Sequence, residues 1–421
     1  MERDLRMQCL PSRNQLPALQ EPQLLYLLVE ITPTAGSDSR ARLPLDICLL
    51  LDNSSSMRGD RLYQAKEAAR YIVNELSPDD YFALITFNDH PSVTVPRQSV
   101  QATAAIREHI SEVQPSGGTE IARAMEAALE QMARGSTFSG VRRVILLTDG
   151  QTYGDESRCV ELARRLQEQG IGITTLGIGE EWNEDLLATM AAHGNSRSAY
   201  IAGPQSIVPL FREEMRLLQG IVAQEMSLSF QPAAQVAIQH FFRISPEIAP
   251  LSLRESWEHD LVAPLGEWMG SEAQVFLAEI VLPPVPAGEH RFLQATFFYR
   301  LPQEHYRRQQ RYELRLPCIA GLESTADVPD KVRRGLEKVT AYRLQESAWQ
   351  DARRGNIEQA TRRLQAAATR LVQMGEERLA QTVQEEARRL ERTGQTSSVG
   401  KKEIHYGTRG LGRRWSDRPS E

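Results

Sequence analysis

The sequence predicts an α/β domain with a doubly wound, mostly parallel sheet, joined to a β-sandwich module and a C-terminal helical region. Three observations carry this. Between residues 44 and 203, short apolar runs alternate with segments of helical periodicity, as in strand–helix units whose strands are buried on both faces. From about residue 220 the apolar residues recur with period two between proline-rich turns, as in half-buried antiparallel strands. From about residue 327 the chain becomes rich in Ala, Arg, Gln, Glu and Leu with helix-type punctuation.

The first buried strand is Leu43–Leu51, almost wholly apolar. A helix follows over 60–76, with Ala65, Ala68, Ala69, Ile72 and Val73 at helical spacing, and Ser77-Pro78-Asp79-Asp80 breaks it. Tyr81–Phe87 reads as the next strand. Val93–Val100 is weaker and carries Pro96, which places it at an edge. Helices are expected over 102–113 and 119–134, a buried strand over Val141–Thr148, a helix over 156–169 and a strand over Ile171–Ile178. Glu181–Ala192, Ser198–Ala202 and Pro204–Gln219 complete a domain of residues 43–219 as helix, short strand and helix.

Residues 226–230, 235–241, 272–281, 288–300 and 312–317 read as strands of a sandwich module spanning 220–322. Asp4–Cys9 and Leu24–Ile31, within the N-terminal stretch 1–42, have the same character. They are expected to complete that sandwich, so that the α/β domain is inserted into it. Helices are expected near 327–353, 356–373 and 376–392 within a helical region of 325–394, with Asn356 as an N-cap and Gly375 as a break. The polar segment 395–421 reads as a flexible, mildly basic tail.

Composition excludes several classes. The net charge of −6 provides no general basic field for nucleic acid, and Glu interleaves the Arg of the C-terminal helices. No apolar stretch approaches the roughly 20 residues of a spanning helix, and the charged N-terminus is followed by no apolar signal core. A cytoplasmic location is expected. The four cysteines, Cys9, Cys48, Cys159 and Cys318, lie far apart and read as buried reduced thiols. No phosphate-binding Gly-rich loop, no H-E-x-x-H and no G-x-S-x-G is present, so a binding protein is expected rather than an enzyme.

Chemistry concentrates in three segments. Asp52-Asn53-Ser54-Ser55-Ser56 follows the first buried strand, Ser116-Gly117-Gly118-Thr119 opens a helix, and Thr148-Asp149-Gly150 follows another buried strand. Alone, the first segment reads equally as a helix cap, with Ser56 or Asp60 as N-cap. Together, the three pieces deliver oxygen donors, Asp52, Ser54, Ser56, Thr119 and Asp149, to the carboxyl edge of one sheet, where open α/β sheets bind ligands. Oxygen-only donors select a hard cation, Mg²⁺, with Mn²⁺ or Ca²⁺ as substitutes. Asp80 and Asp89, close in sequence, read as turn and cap residues.

The pattern D-x-S-x-S, T, D-G resembles the metal-ion-dependent adhesion site of von Willebrand factor A domains, with all five positions present. The resemblance implies that Ser54 and Ser56 ligate directly, Thr119 does so in the ligand-occupied form, and Asp52 and Asp149 act largely through water. Neutral hydroxyls leave such an ion short of negative charge, so it accepts an Asp or Glu from a protein partner as its last ligand. The order of modules is similar to that of a bacterial group of these proteins, whose C-terminal segment Tyr406-Gly407-Thr408-Arg409 resembles, and to inter-α-trypsin inhibitor heavy chains. Some bacterial relatives work beside MoxR-type AAA+ ATPases. An accessory subunit of such an ATPase, or of a signalling or conflict system, is therefore the alternative to a metal-dependent scaffold or adaptor.

Overall fold

The structure is a computed structural model and describes residues 5–34, 43–152, 154–193, 197–256, 259–269, 273–301, 304, 306–322 and 327–415. The charged N-terminus Met1–Asp4 and the last residues of the tail, 416–421, lie outside the described residues.

The chain begins with β1 (Leu5–Pro11), β2 (Leu16–Pro17) and β3 (Gln23–Pro33). It then enters the α/β domain through β4 (Leu45–Asp52), α1 (Asp60–Glu75), β5 (Tyr81–Phe87), β6 (Pro91–Ser99), α2 (Thr103–Glu112) and α3 (Ile121–Ala133). The domain closes with β7 (Val141–Thr148), α4 (Glu156–Glu168), β8 (Gly172–Ile178), α5 (Glu184–His193), β9 (Ser198–Ile201) and α6 (Ile207–Gln219). Its sheet has the order β6-β5-β4-β7-β8-β9, parallel except for the antiparallel edge strand β6. Every residue of β4 and β7 is buried, because helices cover both faces and the apolar runs have no solvent side. From β4 the chain winds one way to β5 and β6, and from β7 the other way to β8 and β9. The crevice between the carboxyl ends of β4 and β7 is therefore the topological switch point.

One residue after α6 the chain re-enters β structure: β10 (Ile221–Pro232), β11 (Ala237–Ser245), β12 (Ala249–Pro250), β13 (Arg254–Glu255), β14 (Leu261–Met269), β15 (Gln274–Leu282), β16 (Gly288–Arg300) and β17 (Arg308–Ile319). These strands form two sheets, β1-β3-β15-β11-β12 and β13-β14-β10-β16-β17-β2, around one apolar core that includes Leu25, Leu27, Phe230, Phe241, Phe276 and Phe297. β3 lies between β1 and β15, in register from Gln23 opposite Leu282 to Ile31 opposite Gln274. The α/β domain thus interrupts the sandwich between β3 and β10.

The last layer is helical: α7 (Asp330–Arg353), α8 (Ile357–Gln373), α9 (Glu377–Thr393) and α10 (Ser398–Gly410), ending in a short 3-10 turn, Leu411–Arg414. Val332, Val339, Tyr342 and Trp349 of α7 pack on Leu28, Phe242, Ile244, Val275 and Leu277, the outer face of the sheet that contains β3. The part of that sheet under α7 is consequently buried on both sides. Asn356 stands at the N-cap of α8, but its side chain makes no capping bond.

The described part of the segment 395–421, residues 395–415, does not behave as the flexible tail its composition suggests. Within it, α10 is wedged between all three modules. Ser397 caps it by accepting the Gly400 N–H at 2.9 Å. Tyr406 reaches Ser198 of β9 at 3.0 Å and stacks with Tyr200. Lys402 is buried, donates to the Glu180 carbonyl and sits 4.4 Å from the Trp182 ring centre. Thr408 donates to Gln345 of α7, and the Arg409 carbonyl accepts the Ile248 N–H at 2.9 Å. Glycines read as flexibility are instead close approaches. A Cβ on Gly407 would lie 2.6 Å from Leu379, and one on Gly412 would lie 2.0 Å from the Ile244 carbonyl oxygen. Gly412→Ala should therefore lever the chain end off the sandwich, at a cost of about 1–3 kcal/mol as in other overpacked sites, read as a lower urea midpoint for the whole chain.

Candidate metal centre

The all-apolar β4 ends on Asp52, and β7 is followed directly by Asp149, so two carboxylates reach the switch point from adjacent parallel strands. Both are buried, at 0% and 1% exposure. Asp52 is an organiser. Its Oδ1 accepts the Ser54 N–H at 2.8 Å and its Oδ2 accepts the Thr148 hydroxyl at 2.5 Å. Burial pushes the Asp52 carboxyl up to about 6, the bonds from Ser54 and Thr148 pull it down, and the neighbouring charge of Asp149 raises it.

The loop after Asp52 turns through a single 3-10 turn, Ser55–Met57, and presents its hydroxyls inward. Ser54 Oγ lies 3.0 Å from Ser56 Oγ, and Ser56 donates to Asp149 Oδ1 at 2.7 Å. The helix-cap reading of this segment fails on geometry: Gly59 occupies the N-cap of α1, and no side chain caps it. The Ser116–Thr119 loop is tied alongside by Ser116 N–H to the Asn53 carbonyl at 2.8 Å and Ser55 N–H to the Gly117 carbonyl at 3.0 Å. Thr119 turns its hydroxyl over Gly150, to within 2.8 Å of where a Cβ on Gly150 would stand, so residue 150 has no room for a side chain. The three sequence segments thus converge on one place.

Asp80 and Asp89 serve as turn residues. Asp80 accepts the Leu45 and Ser77 N–H groups at 2.7 and 2.6 Å. Asp89 accepts the Gly118 N–H at 3.0 Å and fills the space that side chains at Gly117 and Gly118 would need. Two site residues escaped the sequence reading. Thr148 orients Asp52, and its place just before Asp149 was the available signal. Arg61, in the first turn of α1, places Nη1 2.5 Å from Asp149 Oδ2 and so holds the carboxylate oxygen that Ser56 leaves open.

Among the described residues no group of three or more His, Cys, Asp or Glu could hold a metal ion. The cluster at the switch point differs in kind: two buried carboxylates surrounded by hydroxyls, with neither nitrogen nor sulfur in the donor set. That chemistry fits a hard divalent cation, whose preferred ligands are oxygen and which tolerates water in its shell. Cys48 and Cys159 are buried, and burial pushes both thiols up, which leaves them as inert packing groups.

Residues 46–206 match the family model of the von Willebrand factor type A domain, and residues 330–414 match that of the Sll0103-like, C-terminal alpha-helical domain. The uncharacterized protein sll0103 of Synechocystis sp. is 28% identical over 337 residues, which cover 79% of this chain and 80% of that protein. Among solved structures, a von Willebrand factor type A protein from Catenulispora acidiphila superposes with a TM-score of 0.81 at 18% identity, covering 97% of both chains. The ArnB paralog VWA2 from Sulfolobus acidocaldarius superposes with a TM-score of 0.59 at 16% identity, covering 97% of this chain and 99% of that one. The shared fold extends through the sandwich and the C-terminal helices.

Proposed function

We propose, from the premise that residues 46–206 form a von Willebrand factor type A domain, that the chain is a divalent-metal-dependent protein-binding scaffold or adaptor. Domains of this family mediate protein–protein interactions. The observation that carries the reading is the hydroxyl–carboxylate chain Ser54, Ser56, Asp149, with Thr119 closing over Gly150 at the switch point. Ser54, Ser56 and Thr119 would hold Mg²⁺, or Mn²⁺ or Ca²⁺ in its place, with Asp52 and Asp149 steadying them and the metal's water. Three neutral donors leave the ion electrophilic, and a carboxylate from a partner is the ligand it lacks. The rest of the chain acts as a rigid mount. No described helix is long and apolar enough to cross a membrane.

The direct test is affinity capture with the full chain in Mg²⁺ and in EDTA. Partners should be retained in Mg²⁺, released by EDTA, and absent with Ser54→Ala. A partner set that is identical in Mg²⁺, in EDTA and with the variant would overturn the reading.

A further inference from the structure

Away from the metal centre, the three modules enclose a cavity of about 390 Å³. Ala188 and Thr189 of α5 form one wall, strands β11–β14 another, and Tyr342 and Arg409 of the helical layer the third. Such a volume falls in the usual range for small-molecule sites, roughly 300–1,000 Å³.

Three arginines, Arg243, Arg254 and Arg409, line it. Glu247, 6% exposed, lies behind the cavity and accepts from Arg413 at 2.6 Å and from Arg409 at 3.5 Å. The charge of Arg243 also feels this carboxylate, whereas Arg197, which acts on it from further away, is paired with Glu213 at 3.2 Å and Glu214 at 3.7 Å. Arg243 lines the cavity and gives only its Nε, at 3.4 Å, to the Glu247 carbonyl. Among the described residues it has no carboxylate partner, nor has Arg254 on the opposite lip. Acids in the lining are already engaged: Glu346 by His405 at 3.0 Å and Asp185 by Arg353 at 2.7 Å. Arg409, 7% exposed, leaves its buried Nε donor without a hydrogen bond here. Burial lowers the pKa of Arg243, as expected for a guanidinium removed from water without full compensation. Guanidinium groups at Arg243 and Arg409 with donors unused toward a cavity are completed by an anion.

We propose that this cavity is a binding site for a small organic anion, whose phosphate or carboxylate oxygens are gripped by Arg243 and Arg254 while its body lies against Tyr342 and the α5 wall. The planar guanidinium fork matches both kinds of oxyanion. Because the walls belong to three modules, the anion fixes α5, the sandwich and α10 to one another. The site is independent of the metal centre, and its failure leaves the metal reading untouched.

The test is isothermal titration of the full chain with inorganic phosphate and, separately, with citrate, at ionic strength held constant with chloride. Saturable binding of at least one probe is expected, and which probe binds separates the phosphate from the carboxylate source. Arg243→Gln and Arg254→Gln should each weaken it about tenfold, as loss of a charge-assisted pair does, while Ser54→Ala should bind as the wild type does. Arg254 is exposed, so its variant reports on binding even if Arg243→Gln fails to fold. No saturable heat with either probe, or binding unchanged by Arg254→Gln, would overturn the proposal.

Discussion

Ser54→Ala should lower Mn²⁺ affinity by at least about 100-fold, read from free-ion signal in a spin-resonance titration, with little change in thermal stability. Loss of an outer-shell group alone costs metal sites about 10–100-fold, and the proposal makes Ser54 a direct ligand. The fold is expected to survive because the bond that shapes the loop is made by the Ser54 backbone N–H to Asp52, which alanine keeps. Arg61→Ala should move the other way, tightening Mn²⁺ binding several-fold, since the guanidinium at Asp149 otherwise repels the incoming dication. Retention of Mn²⁺ by Ser54→Ala within threefold of wild type would remove the site from this cluster.

Glu247→Gln should cost about 3–5 kcal/mol of unfolding free energy, the usual penalty for removing one partner of a buried ion cluster. The glutamate is buried, and its loss takes the paired counter-charge from Arg409 and Arg413 and the nearby negative charge from Arg243. Burial works against ionisation of this carboxyl, yet Arg409, Arg413 and Arg197 outweigh it and hold the pKa at about 2, below the ordinary 4.5. A folded-state pKa below the unfolded value contributes stability that is complete above about 4.5 and is lost as pH falls through about 2. The gap between these values corresponds to roughly 3 kcal/mol. Denaturant unfolding at pH 7, 4 and 2.5 should show the wild-type advantage over Glu247→Gln shrinking across that interval. An advantage independent of pH would mean that packing, not charge, holds the junction.

Much of this was legible because its causes are local. Runs such as Leu45–Leu51 and Val141–Leu147 have no polar face, so they can only be strands between two helical layers. Strand ends in such sheets carry ligands, which sets Asp52 and Asp149 side by side from the sequence pattern alone. The paired role of Arg61 was not legible. An arginine in the first turn of a helix is ordinarily solvated, and only the winding of α1 over the site sets it on a carboxylate 88 residues away.

By itself the sequence determined the layered α/β domain, the period-two strands around it and the oxygen donor set, because apolar periodicity and motif spacing act over a few residues. Only the tertiary structure decided the fate of 395–415. Its Gly, Ser and Arg content describes a solvated tail, but Gly407 and Gly412 let backbone meet its neighbours, and Lys402, Tyr406 and Arg409 find partners in distant modules. Those partners are remote in the chain, and composition carries no information about what long-range packing brings to a residue's side.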